Sequence, residues 1–168
     1  MSEHRAGQIV RSIIEQLIGD NVAGGNVFRR RVYAFLGADV LDVTGGLPAV
    51  DVFAGSDDPI DDNPYRGQFS DHLLEVIADL YVAEADILPG TDVVPDIDAK
   101  ASELRLAVQR SVLQGSRNFG LSYVIETYPG EAAPLDLERE NDRPVFAYRM
   151  IFRVQYRCNP ADPVEEAA

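Results

Sequence analysis

An α+β fold, with two helices packed on one face of a mostly antiparallel sheet, is what this sequence predicts, and three observations predict it. Two stretches carry apolar residues at helical spacing, others alternate apolar and polar residues or are rich in β-branched and aromatic ones, and the order is helix, two or three strands, helix, two strands. A chain of 168 residues, 46% hydrophobic and 26% charged, fits one such domain around its own core.

The first element is "HRAGQIVRSIIEQLI" (4–18), where Ile9, Ile13 and Leu17 with Val10, Ile14 and Ile18 form a stripe wide enough to lie on a sheet. "GDNVAGGN" breaks it with glycines and asparagines, and "VFRRRVYAF" (27–35) follows as a strand-forming run. "LPAVDVFAG" (47–55) is a second strand, with Pro48 tolerated at its start. "SDDPIDDNPYRGQ" (56–68) is turn-rich and too polar to pack, so it reads as a loop. From Phe69 to Glu84, apolar residues at 74, 76, 78, 80 and 82 are set against His72, Glu75, Asp79 and Tyr81, which predicts a long strand. A helix is the alternative there, since Leu73, Val76, Ile77 and Leu80 would also make a stripe.

Ile97 to Gln114 reads as the second helix. Asp96 or Asp98 is placed to cap its free amide groups, Ala101, Leu104, Val108 and Val112 share one face, and Gly115 ends it. "LSYVIETYP" (121–129) is a strand, "GEAAPLDLERENDRP" (130–144) a charged connection, and Val145 to Arg157 the last strand. Residues 159–168, "NPADPVEEAA", form a frayed acidic tail, which leaves 1–158 as the domain.

In the last strand one side is Phe146, Tyr148, Met150, Phe152, Val154 and Tyr156, and the other is Ala147, Arg149, Ile151, Arg153, Gln155 and Arg157. The aromatic side belongs beneath the helices, so the arginine row lies on the opposite face. Arg149, Arg153 and Arg157 then stand beside the strand bearing Glu75, Asp79 and Glu84. They pair across strands within the chain or across a subunit boundary, where arginine is enriched; the residues alone leave both open.

The formal net charge is -13 and is unevenly spread: Asp57 to Lys100 holds twelve acids against two bases. Such a balance argues against clamping nucleic acid, which needs clustered Lys and Arg, and suits either solubility or a surface that DNA passes without sticking. No apolar run of ~18 residues and no basic segment leading into an apolar one is present, so a soluble protein of the cytoplasm, with no membrane span and no signal peptide, is expected. Cys158 is the single cysteine and reads as a half-buried thiol at a strand end.

Catalytic signatures are missing. His4 and His72 have no companion at metal-ligand spacing, no GxSxG, GxGxxG or lysine-bearing phosphate loop occurs, and "SDDPIDDNP" lacks the spacing of a calcium loop. No catalysis, no metal and no cofactor is therefore expected. The alternative is a small enzyme or ligand-binding domain, with acids of the 57–62 loop meeting His72 in a pocket.

Four stretches carry a resemblance: the helix "AGQIVRSIIEQLIG", the run "NVFRRRVYAFLGADVLDVTGGLPAVDVFAGSDD", the helix "DAKASELRLAVQRSVLQ" and the close "VFAYRMIFRVQYR". In their order they resemble the phage tail terminators of the lambda-like minor tail protein U family, over about two thirds of the chain. The resemblance implies a homo-oligomeric, hexameric ring at the head-proximal end of the virion tail. Such a ring would stop growth of the tail tube, cap the sheath if the tail is contractile, meet the neck or head-completion protein, and let DNA pass as cargo. A neck or head-tail connector ring is the related alternative. On this reading Arg149, Arg153, Arg157, Glu75 and Asp79 are candidates for the subunit boundary. Asp57, Asp58, Asp61, Asp62, Tyr65 and Arg66 are candidates for a loop that orders on the tube.

Overall fold

The structure, a computed structural model, describes residues 3–29, 48–60, 69–83, 97–115, 117–135 and 145–159. Among the described residues two helices and one five-stranded, mixed, mostly antiparallel sheet make a single α+β domain, the fold class that the sequence pattern predicts. The elements are α1 (Arg5–Gly19), a short 3-10 turn (Val22–Gly25), β1 (Val27–Arg29), β2 (Ala49–Pro59), β3 (Ser70–Ala83), α2 (Ile97–Leu113), β4 (Val124–Leu135) and β5 (Val145–Cys158). Across the sheet the order is β1-β2-β3-β5-β4; β1 lies parallel to β2 and the other pairs are antiparallel.

Each helix forms where its apolar stripe finds the sheet. In α1 the side chains of Ile9, Val10, Ile13 and Leu17 are buried, and the Ala6 amide donates to Nδ1 of His4, which serves as the N-cap. His4 therefore has a structural use that its isolation in the sequence hides. In α2 the buried face is Ala101, Leu104, Val108 and Val112. Asp98 is a residue of the helix's first turn, and Asp96 lies outside the described residues. Gly115 follows the helix with φ of 92°, the left-handed conformation that ends a helix at little cost only for glycine.

Residues 70–83 form a strand, as the alternation predicts, because every residue from Ser70 to Ala83 pairs with β5 in unbroken register from Cys158 to Val145. The helices cover the face made by Leu74, Val76, Ala78, Leu80 and Val82 of β3 with Met150, Phe152, Val154 and Tyr156 of β5, all buried. His72 has the same parity, so it lies on the helix side and not with Glu75, Asp79 and Tyr81. The opposite face is only partly open: Ala49, Asp51, Asp79, Tyr81 and Ala147 are buried there, whereas Arg153 and Arg157 are exposed.

Two strands run on past their expected ends. β2 continues through "GSDDP" to Pro59, and β4 continues through "GEAAPL" to Leu135, so residues 56–59 are not loop and 130–135 are not connection. In both places a bulge keeps the pairing alive, between Ala54 and Asp57 in β2 and between Pro129 and Ala132 in β4. Pro129 and Pro134 are admissible because β4 is an edge strand, where a residue without an N–H can face away from the ladder.

Each of these bulges contains a glycine in close contact. At Gly130 an added Cβ would stand 2.7 Å from the carbonyl oxygen of Ile151, a backbone atom that cannot swing aside. Gly130→Ala is therefore expected to destabilise the fold by roughly 1 to 3 kcal/mol, the usual cost of overpacking. A urea midpoint unchanged by that substitution would show that the bulge is not as tightly closed as described.

Candidate functional site

On the face opposite the helices the register sets three acids of β3 against three arginines of β5: Asp71 opposite Arg157, Glu75 opposite Arg153 and Asp79 opposite Arg149. The spacing of four residues along each strand keeps all six side chains on this face. Arg149 donates from Nε and Nη2 to the two carboxylate oxygens of Asp79, both at 2.7 Å, and Arg157 does likewise to Asp71 at 2.7 and 3.2 Å. The middle pair is looser, with Arg153 Nε 3.9 Å from Glu75.

The three pairs are not equal. The Asp79 side chain is 6% exposed and that of Arg149 38%, so this forked pair holds its charge near low-dielectric surroundings, and the bond to Asp79 drives the guanidinium's ionisation further up. Asp51 stands opposite Asp79 on β2 and is also buried; this close anionic company and, above all, burial hold the Tyr81 phenol well above its ordinary value. The pairs at Arg153 and Arg157 are exposed, and such pairs are worth only ~0 to 1 kcal/mol each.

Between the charged rows lie apolar ones. Phe53, Ile77 and Ile151 stand side by side on β2, β3 and β5, half-buried, with the Arg149 guanidinium 5.7 Å from the Phe53 ring centre. Leu73 and Gln155 make the next row but one, and the exposed Tyr128 on β4 lies opposite Arg153.

On the helix side the bulge in β2 changes the parity of the residues after it. Asp57 comes to pair with Leu74 and so points into the helix-covered layer, not into a loop. There the Tyr156 hydroxyl donates to Asp57 Oδ2 at 2.7 Å, His72 Nδ1 stands 3.4 Å from Asp57 Oδ1 without the alignment of a hydrogen bond, and His72 Nε2 is 3.0 Å from the Ser70 hydroxyl. Arg5, fully buried, donates to the Arg157 carbonyl and lies 4.6 Å from the Tyr123 ring centre. Burial pushes the Cys158 thiol up while the adjacent Ser70 hydroxyl pulls it down, so the thiol is the inert, packed kind. Carboxylate, imidazole and hydroxyl in this order activate serine nucleophiles in hydrolases, but Ser70 is 1% exposed and its oxygen is closed to a substrate. Among the described residues no group of three or more His, Cys, Asp and Glu is placed to hold a metal ion.

Of the sequence-predicted residues, the structure thus joins Arg149 to Asp79 and Arg153 to Glu75 within one chain. Arg157 pairs with Asp71, which the sequence did not single out although the alternation that puts Glu75 and Asp79 on the arginine face puts residue 71 there too. Asp57 and Asp58 are corrected from loop to strand, held opposite Leu74 and Leu73. Asp61, Asp62, Tyr65, Arg66 and Glu84 lie outside the described residues. The α+β class is as far as the fold defines the protein: no family model matches the chain, and no curated protein is significantly similar to it.

Proposed function

We propose that this chain is a structural ring protein of a phage tail: copies close a ring, six in number, on the head-proximal end of the tail tube, stop its growth and join it to the neck. The observation that carries the reading is the order of its segments in a single sheet with the two described helices on one face. The other face presents ion pairs alternating with apolar rows, which is the anatomy of a protein interface and not of a substrate cleft. The net charge of -13 suits a channel wall that repels phosphates and lets DNA pass. A neck connector ring shares all of these features and differs in the partner it meets.

A second reading, a small enzyme, draws on the Asp57, His72 and Ser70 row. It requires the buried Ser70 hydroxyl to open to a substrate, and the ring reading requires no such movement.

Light scattering at low and high salt tests the proposal. The expected mass is that of six chains, alone or after addition of purified tail tubes, and, two of the three arginine pairs being closed within the chain, the six-chain species is expected to survive salt that screens exposed charges. A protein that stays monomeric with tubes present would overturn the ring reading and return attention to the second one.

A further inference from the structure

The outer sheet face has a symmetry that its internal pairing does not explain. Asp71, Glu75 and Asp79 form an acidic column along β3, and Arg157, Arg153 and Arg149 form a basic column along β5, level with each other row by row. Two copies of such a face can meet about a two-fold axis lying between them in either of two directions. With the axis across the strands, each acidic column would face an acidic column and the contact would be repulsive. With the axis along the strands, between β3 and β5, every acid of one copy faces the arginine of the same row in the other, and Ile77 of each copy faces Ile151 of the other. Only the second arrangement is complementary, and it is complementary in each of the three charged rows.

We propose that this face is a docking surface for a second copy of the same chain, packed sheet on sheet about a two-fold axis parallel to β3 and β5. The exposed end of the face, from Ile77 and Ile151 down to Asp71 and Arg157, supplies the contact, with Leu73 and Tyr128 beside it. Aligned sheets pack ~10 Å apart with strands offset by about 30°, a distance that long arginine and glutamate side chains span. Arg153 is the residue best placed to reach across, since it is exposed and held only loosely, at 3.9 Å, by Glu75 of its own chain. The two glycine bulges border this patch: an added Cβ on Gly55 would meet Ile77 and Glu75, and one on Gly130 would meet Ile151, so at these two positions the flanking strands put no side chain against the isoleucines, while Phe53 of β2 and Tyr128 of β4 extend the same face. A two-fold contact of this face joins chains, or rings, in pairs, so the seam of the ring reading falls on other surfaces, and the interface character of this face then speaks for the pairing and not for the seam.

A charge-exchange experiment tests it. Glu75→Arg and Arg153→Glu each break the pair inside their own chain and each place like charges opposite one another between copies. Each alone is therefore expected to weaken self-association at least about tenfold, measured by sedimentation equilibrium. Mixed in equal amounts, the two variants set the introduced arginine of one chain opposite the introduced glutamate of the other. The native Arg153 of the first chain then faces the native Glu75 of the second, so a one-to-one complex is expected to recover the wild-type affinity. Recovery cannot come from repair of either fold, since neither chain regains its internal pair. A mixture that associates no better than its parts overturns the proposal, as does a wild-type chain that shows no pairing at about 100 µM. If either variant is unfolded by circular dichroism, Asp71→Arg with Arg157→Glu repeats the exchange in the row at the open end of the face. A six-chain ring whose mass ignores both exchanges rejects the face pairing and leaves the ring standing; pairs that follow the exchange but never form rings on tail tubes do the opposite.

Discussion

Phe152→Ala is expected to cost ~3 to 5 kcal/mol, a large part of the ~5 to 15 kcal/mol that holds a domain of this size folded. Phe152 is 1% exposed, stands opposite Val76 in the central strand pair, and belongs to the core that both helices cover. Removing its ring loses burial and leaves a cavity that a sheet paired on both sides cannot collapse to fill. Its chain neighbour Ile151 points to the opposite face and is half-buried, so Ile151→Ala is expected to cost less than half as much. The two urea midpoints together measure which face of β5 carries the fold. Equal losses would mean that the outer face is as fully packed as the helical one, and a harmless Phe152→Ala would mean that the faces are reversed.

The legibility of this fold in the sequence follows from how its strands are read. β3 and β5 are long and central, with an apolar residue at almost every second position, so a period of two is readable in both, although Leu73 and Ile77 on the other face of β3 keep a helix open there; their register holds without a break. β2 and β4 are bulged beyond their first halves. A bulge shifts parity by one residue, so Asp57, which simple alternation would assign to the outer face or to a loop, turns instead toward Tyr156 and His72. The glycines and prolines of "GSDDP" and "PGEAAPL" are turn signals almost everywhere else, and only the presence of a paired neighbour makes them strand. The charged face was half legible: the arginine row is evident from "YRMIFRVQYR", but whether its partners lie in the same chain depends on the pairing of β3 with β5, which no local pattern states. The burial of Asp51, Asp79 and Tyr81 on the face away from the helices was not legible at all, because it depends on what the tertiary structure lays over them.

Those buried groups lead to the other large effect, a loss of stability in alkali. Tyr81 is buried beside Asp79 and Asp51, and Tyr156 is buried on the other face with its hydroxyl bonded to Asp57; in both, desolvation is the leading cause that holds the phenol's ionisation well above its ordinary value near pH 10. The folded chain therefore keeps two protons that the unfolded chain releases at about pH 10. Stability from these residues is fully present below that pH, and above it falls by about 1.4 kcal/mol per pH unit for each tyrosine, or roughly 2.7 for the pair. Lys100 is the only lysine in the chain, so lysines add little to titration in this range. Cys158, whose thiol burial also raises, adds a loss of the same sign that begins lower, near pH 8.5, and Cys158→Ala removes it. Urea midpoints between pH 9 and 11 are expected to fall steeply in the Cys158→Ala background, and about half as steeply once Tyr81 is also replaced by Phe. Ultraviolet titration of the tyrosines should show Tyr81 and Tyr156 ionising only as the protein unfolds. A stability that stays level to pH 11 would mean that Tyr81 and Tyr156 reach solvent, and with them the acid-lined end of the outer face and the Asp57 cluster would have to be more open than the structure describes.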